Sequence, residues 1–303
     1  MTNHCADMDP TAVRPSDDAE LADVMAALGV GPDALLGRGG EAWVLALDEE
    51  RVARVSRGGL ENAVWISART ALLAEMARHA QTVTFAIPAV VDTRIVAGHI
   101  VTVEPRLPGR PLIELLCEAV GAVRVALIRA YLDAAALIGD LQIDRPWFGD
   151  LCTPTAIQTG NFRSYLAQRA ARSLRMAGQD FDGIDPVSLA AALPEPARAR
   201  LVHLDAWPGN MLAQGQSITA VIDFGAATIM GDRRLDPLTA AIYLEQPITP
   251  SANDGDLAVA MRWLRDQDLA QHHTAARRWI AAYWSFATDD VALHHWCRSV
   301  LLD

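Results

Sequence analysis

The chain has 303 residues, 51% of them hydrophobic and 21% charged, with a net charge of -11. This is the profile of a globular protein with room for one large domain or two modest lobes, and its acidic surplus excludes the electrostatics of a nucleic-acid binder. All 26 basic residues are arginine, so any step that needs a side-chain amine must use a guanidinium instead.

The first residues, 1–15, read as a loose leader; they are polar and carry Asp7 and Asp9, unlike a secretory signal. Cys5, Cys117, Cys152 and Cys297 are scattered, with no Cys-x-x-Cys, and read as free thiols. No apolar run of about eighteen residues is free of charge, which argues against a membrane span. The expected location is the cytoplasm.

Asp17 to Leu28 has helical apolar spacing and stops at Gly29. Trp43 to Leu47 and Val52 to Val55 flank the turn-like Asp48-Glu49-Glu50 as a hairpin. Asn62 to Ala80 reads as a helix. Pro88 to Asp92 and His99 to Glu104 read as two further strands. Pro105 to Pro111, with three prolines and a glycine, reads as a hinge. Beyond it, 112–142, 160–177, 187–200 and most of 236–302 have helical periodicity. The expected class is therefore α+β, with a small β-rich N-terminal lobe carrying one main helix (16–106) and a larger, mostly helical C-terminal lobe (107–303).

The densest chemistry lies in His203-Leu204-Asp205-Ala206-Trp207-Pro208-Gly209-Asn210, followed thirteen residues later by Asp223 in Ile222-Asp223-Phe224-Gly225. A loop leading out of packed structure can hold a carboxylate both exposed and fixed. Asp205 there could orient an acceptor hydroxyl and take its proton. Asn210 and Asp223 offer the hard oxygens magnesium prefers, and the apolar run Ile218 to Ile222 would form a hairpin setting them side by side. Together they are the equipment for moving a phosphoryl group from a Mg-nucleotide to a hydroxyl. His203 fits an internal hydrogen-bonding scaffold better than an acid or base.

These residues resemble the aminoglycoside phosphotransferase and choline-kinase-like superfamily, small-molecule relatives of the protein kinases. Its catalytic segment runs His-Gly-Asp-Leu-His-Pro-Gly-Asn, followed by a strand and Ile-Asp-Phe/Trp-Gly/Glu; Leu204 and Trp207 depart from it outside the catalytic positions. The resemblance implies a two-lobed, protein-kinase-like fold with Asp205 as the base, Asn210 and Asp223 on Mg²⁺, and ATP or GTP as donor. It extends to Leu36-Gly37-Arg38-Gly39-Gly40-Glu41, which looks like the nucleotide-covering loop but alone would equally suit an ordinary hairpin turn. Arg54 stands where the family places its phosphate-binding lysine, unless it is simply an exposed strand residue. Glu75 on the following helix is the expected partner of Arg54, with Glu61 the nearer but less suitable acid. Val103 and Glu104 lie near the linker whose backbone reads the adenine edge.

Downstream, Asp236 matches a family position expected to cap a helix and brace the catalytic loop. The short run from Asp223 to Asp236 has no room for a protein-kinase activation loop, so a small-molecule acceptor is implied and no protein partner is. An aminoglycoside-type antibiotic leads as acceptor. A metabolite such as choline, homoserine or an amino sugar is the alternative, and a nucleotide-binding pseudokinase the non-enzymatic one. The acceptor is expected in the helical lobe, from Trp147 to Phe162 and near Trp263, Trp279, Trp284 and Trp296, although such tryptophans are more often core.

Overall fold

The structure, a computed structural model, describes residues 15–153 and 155–303. The expected leader lies outside the described residues, except for Pro15, which opens helix α1 (Pro15–Leu28). Then come β1 (Leu35–Arg38), β2 (Ala42–Ala46), β3 (Arg51–Ser56), α2 (Ala63–Ala77), β4 (Asp92–Val96) and β5 (His99–Pro105). The strands form one antiparallel sheet in the order β1-β2-β3-β5-β4.

Strand alternation divides the work of that sheet. Trp43, Leu45, Ala53, Val55 and Val101 pack against Leu21, Val24 and Met25 of α1 in a small core. Arg54 pairs in register with Thr102, and Val52 with Glu104, so the alternate positions face the other way. Helix α2 lies on that second side. Its buried residues Trp65, Ile66, Arg69, Leu72, Leu73 and Met76 recur at helical spacing, and the apolar ones belong to the large core of the helical region. One helix of the N-terminal region is thus built into the C-terminal core.

The strand expected at Pro88–Asp92 is displaced to Asp92–Val96. Pro88 has no amide to donate, and nearby Ala86 is already engaged in a parallel bridge with Ala220.

The mostly helical region contains β6 (Arg110–Pro111), α3 (Leu112–Glu118), α4 (Gly121–Leu137), β7 (Phe148–Asp150), β8 (Gln158–Thr159), α5 (Phe162–Ala177) and α6 (Pro186–Ala191). It continues with β9 (Arg200–Val202), β10 (Met211–Gln214), β11 (Ser217–Val221), β12 (Ile229–Gly231), α7 (Leu235–Ile242), α8 (Asp254–Asp266), α9 (His273–Trp284) and α10 (Val291–Leu302). The helix expected over 187–200 ends at Ala191, because Pro194 and Pro196 bar its continuation. Between them Glu195 accepts the Phe162 and Arg163 amides at the start of α5.

The proline-rich hinge is fastened at its far end. Strand β6 pairs with β10, and the Thr219 hydroxyl donates to the Pro108 carbonyl at 2.5 Å. Gly109 has φ 112, and an added Cβ would come 2.5 Å from Thr219 Oγ1, so both its backbone and the close approach require glycine. Trp263, Trp279 and Trp296 are core residues. Cys152 and Cys297 are buried free thiols; Cys117 is disulfide-bonded, which corrects the reading of four free thiols. Among the described residues no helix is long and apolar enough to cross a membrane.

Leu45 is fully buried in the small core, whereas Leu60 is 54% exposed. Leu45→Ala is expected to cost about 2–5 kcal/mol in urea denaturation, and Leu60→Ala within about 0.5 kcal/mol.

Candidate active site

The loop from His203 to Asn210 is irregular and largely buried, so its backbone groups need side-chain partners. Asp236, fully buried at the start of α7, accepts the His203 amide through Oδ2 and the Leu204 amide through Oδ1, both at 2.9 Å. Tyr243 donates to the Leu204 carbonyl and Tyr131 to the Ala206 carbonyl, each at 2.8 Å. Leu204 has φ 65, a left-handed conformation that glycine adopts freely and leucine does not. These bonds on both sides of the residue hold it there.

His203 is an internal strut. Its Nδ1 accepts the Asp205 amide at 3.3 Å and its Nε2 donates to the Ile222 carbonyl at 2.8 Å. Burial pushes its pKa below the ordinary value, so the ring is neutral. Its ring centroid lies 4.5 Å from that of Phe224, with the two planes tilted by 53°.

Strands β10 and β11 form a hairpin with Met211 opposite Val221. Beyond that pair the Ile222 amide donates to the Asn210 carbonyl at 2.9 Å. The hairpin therefore returns Asp223 to the side of Asn210. The Asn210 amide nitrogen donates to the Asp205 carbonyl at 2.9 Å and to Asp205 Oδ2 at 3.2 Å, leaving its side-chain oxygen as the acceptor it presents. Asp223 also has φ 65; its Oδ1 lies 2.7 Å from Arg54 Nη2, yet this buried oxygen receives no aligned hydrogen bond.

Above these groups, Gly37 and Arg38 of β1 pair with Val44 and Trp43, and the Gly39 amide donates to the Ala42 carbonyl. A Cβ at Gly37 or Gly40 would meet no atom within 4 Å, so internal packing does not demand glycine at either position. Glu41, in this loop, reaches down until its Oε2 is 3.6 Å from Arg54 Nη2.

Three carboxylates influence one another here. Burial, then the charges of Asp223 and Glu41, hold the Asp205 carboxyl well above the ordinary range. Partial withdrawal from solvent and the Asp223 charge push Glu41 up to about 7, although 44% of its side chain stays exposed. Burial also pushes Asp223 up, but the guanidinium charges of Arg54 and Arg69 outweigh it and leave that carboxyl below the ordinary value. Among the described residues no group of three or more His, Cys, Asp or Glu side chains has metal-holding geometry. Asn210 and Asp223 instead make a two-donor set, the kind that suits a magnesium ion shared with phosphates and water.

One expected residue lies elsewhere. Glu75 does not meet Arg54; its carboxylate binds Arg145 at 2.7 and 3.0 Å. Val103 points its side chain away from Arg54, and its carbonyl accepts the Val91 amide at 2.9 Å. The Glu104 side chain turns inward to a residue that the sequence reading passed over, Arg69, at 2.7 Å. Arg69 lies on the apolar stripe of α2, six residues before Glu75. That offset is about 9 Å along the axis and about 120° around it. A charged residue inside a buried stripe was the available signal. Glu41 gave none beyond its place in the glycine loop.

A family model described as APH, phosphotransferase enzyme family, matches residues 36–258. No curated protein matches the sequence at a significant level. The streptomycin-ATP-APH(2")-IIa ternary complex is 15% identical with a TM-score of 0.57, covering 97% of this chain and 98% of that one. The GDP and kanamycin complex of APH(2")-IIia is 14% identical with a TM-score of 0.56, covering 94% and 96%. A Haemophilus somnus 129PT protein named as a fructosamine-3-kinase is 14% identical with a TM-score of 0.55, covering 92% and 96%. At these identities the likeness is one of fold: a two-lobed α+β kinase architecture.

Replacing Asp236 by alanine strands two buried amides, and is expected to cost about 1–3 kcal/mol for each in chemical denaturation. A second outcome concerns pH. Glu41 has a folded pKa of about 7 against 4.5 when free, so between those values the folded chain holds a proton that the unfolded chain has released. Its contribution to stability therefore falls as pH rises from about 4.5 to about 7. Glu41→Gln is expected to flatten that part of the Tm–pH profile; a profile parallel to the unaltered protein's would contradict the assignment.

Proposed function

The chain belongs to the APH phosphotransferase enzyme family, and from that premise we propose that it transfers the terminal phosphoryl group of ATP or GTP to a hydroxyl of a small molecule. The observation that carries this reading is the convergence of Asp205, Asn210, Asp223 and Arg54 beneath a glycine loop with open space at Gly37 and Gly40.

In this reading Asp205 orients the acceptor hydroxyl and takes its proton as the new oxygen–phosphorus bond forms. The bond from the transferred phosphorus to its bridging oxygen breaks, and a nucleoside diphosphate leaves. Arg54 places phosphate oxygens, two at a time, through its planar fork. Asn210 and Asp223 would hold Mg²⁺: the Asn210 side-chain oxygen and Asp223 Oδ2 are the hard donors left over from the contacts to Asp205 and Arg54. When bound, the metal neutralises charge on the phosphates. His203 and Asp236 fix the loop and take no part in proton transfer.

For the acceptor we favour an aminoglycoside-type or related antibiotic. Support comes from solved neighbours of the same fold, one carrying kanamycin, one streptomycin, and one an ADP-bound aminoglycoside phosphotransferase. The fructosamine-3-kinase neighbour supports a second reading, a metabolic kinase acting on choline, homoserine, an amino sugar or a similar alcohol. A nucleotide-binding regulator without turnover is disfavoured by the intact Asp205, Asn210 and Asp223.

Incubation with Mg-ATP or Mg-GTP and a panel of aminoglycosides, macrolides, amino sugars and amino alcohols is expected to yield one class of phosphorylated product, read by mass spectrometry. Asp205→Asn is expected to slow that transfer by about 10²–10⁴-fold while leaving nucleotide affinity within a few-fold. Transfer at the unaltered rate in this variant would sink the mechanism.

A further inference from the structure

Helix α2 brings a cation, not an acid, to the underside of the sheet. Arg69 is 2% exposed and Glu104 6%. Arg69 Nη1 donates to Glu104 Oε1 at 2.7 Å and Nη2 to Oε2 at 3.4 Å. The remaining edge of the guanidinium is also used: Nε donates to the Phe224 carbonyl at 3.0 Å. The Thr102 hydroxyl donates to Glu104 Oε1 at 3.0 Å and keeps the carboxylate turned inward. One planar group therefore ties together α2, β5 and the residue that follows Asp223.

We propose that Arg69 is a positioning residue for Asp223, setting the depth and direction from which that aspartate faces the metal site, with Glu104 as the counter-charge that makes a guanidinium tolerable there. This rests on the phosphotransferase reading above, and concerns residues that touch neither substrate nor metal.

Three features distinguish this from an ordinary buried ion pair. A pair with Glu104 alone would need no bond to the Phe224 carbonyl, and that carbonyl lies one residue beyond a backbone held at φ 65. The Phe224 side chain is fully buried against the His203 ring, so the segment is clamped from the catalytic loop on one side and from α2 on the other. The polarity is also inverted relative to the expected strand cation and helix acid. Because Glu104 satisfies Arg69, Arg54 keeps its own contacts for Asp223 and Glu41, at the cleft.

Lysine at position 69 keeps one positive charge for Glu104 but, with a single head, cannot also serve the Phe224 carbonyl in the same geometry. The test is Mn²⁺ binding to the protein–ADP complex, read by electron paramagnetic resonance, alongside Tm, nucleotide KM and kcat. Arg69→Lys is expected to remain folded at the assay temperature, with a Tm lowered by the loss of the Phe224 bond and a similar nucleotide KM. It is expected to bind Mn²⁺ about 10- to 100-fold more weakly, the scale seen when groups supporting a metal ligand are removed, with kcat reduced in parallel. Mn²⁺ affinity equal to the unaltered protein's overturns the proposal, as does a loss that only tracks the unfolded fraction. Should the lysine variant not fold, the double variant Arg69→Gln with Glu104→Gln removes both buried charges together and is judged by the same outcomes. An unaltered protein that binds no Mn²⁺–ADP would instead overturn the phosphotransferase reading, and this inference with it.

Discussion

A loop with little regular secondary structure, set in the middle of a protein, must find partners for its backbone within the protein. That requirement organises this site. From His203 to Ala206 the partners are side chains: Asp236 takes two amides, Tyr243 and Tyr131 each serve a carbonyl, Asn210 serves the Asp205 carbonyl, and the His203 ring accepts the Asp205 amide. Each donor or acceptor left alone in such a place would cost about 1–3 kcal/mol. The same bonds that satisfy the loop also fix where the Asp205 carboxylate stands. Stability and the geometry of the candidate site are here one network.

The charges nearest the cleft follow a related logic. Arg54 and Arg69 are both largely withdrawn from solvent, and each has an acid within 2.7 Å. Burying a guanidinium is tolerable only with such company. The pairing is split between a strand-to-hairpin contact and a helix-to-strand contact, so the sheet, α2 and the Asp223 segment share one electrostatic assembly. Apolar packing runs the same way, because α2 contributes to the large helical core while α1 seals the far side of the sheet.

What was legible in the sequence was mostly local. The hairpin between Asn210 and Asp223 follows from a short apolar run and needs no distant partner, and the glycine loop between β1 and β2 is likewise a matter of a few residues. The bracing role of Asp236 was reached through a family pattern. That Arg54 meets Asp223 and Glu41 rather than Glu75 was not legible, because it depends on the azimuth of α2 against the sheet and on a hairpin far along the chain. Arg69 was visible in principle as a charge between Ile66 and Leu72, where apolar spacing calls for a hydrophobe. Its partner Glu104 was noticed only for its backbone, since nothing in a linear reading says that its side chain turns under the sheet. The displaced β4 and the short α6 both trace to prolines, which lack an amide and restrict the residue before them.

The arginine on β3 has a consequence for how such a protein could be detected. Nucleotide analogues that carry an activated acyl group mark kinases by acylating the amine beside the phosphates. A guanidinium is permanently protonated and is a poor acceptor for such reagents, and this chain has no lysine anywhere. On the proposed reading, a survey of nucleotide-binding proteins by amine acylation would find no lysine to mark beside Arg54. Reagents directed at guanidinium groups, such as vicinal diketones, are the chemistry suited to Arg54, and nucleotide protection at that one residue would report occupancy of the cleft directly.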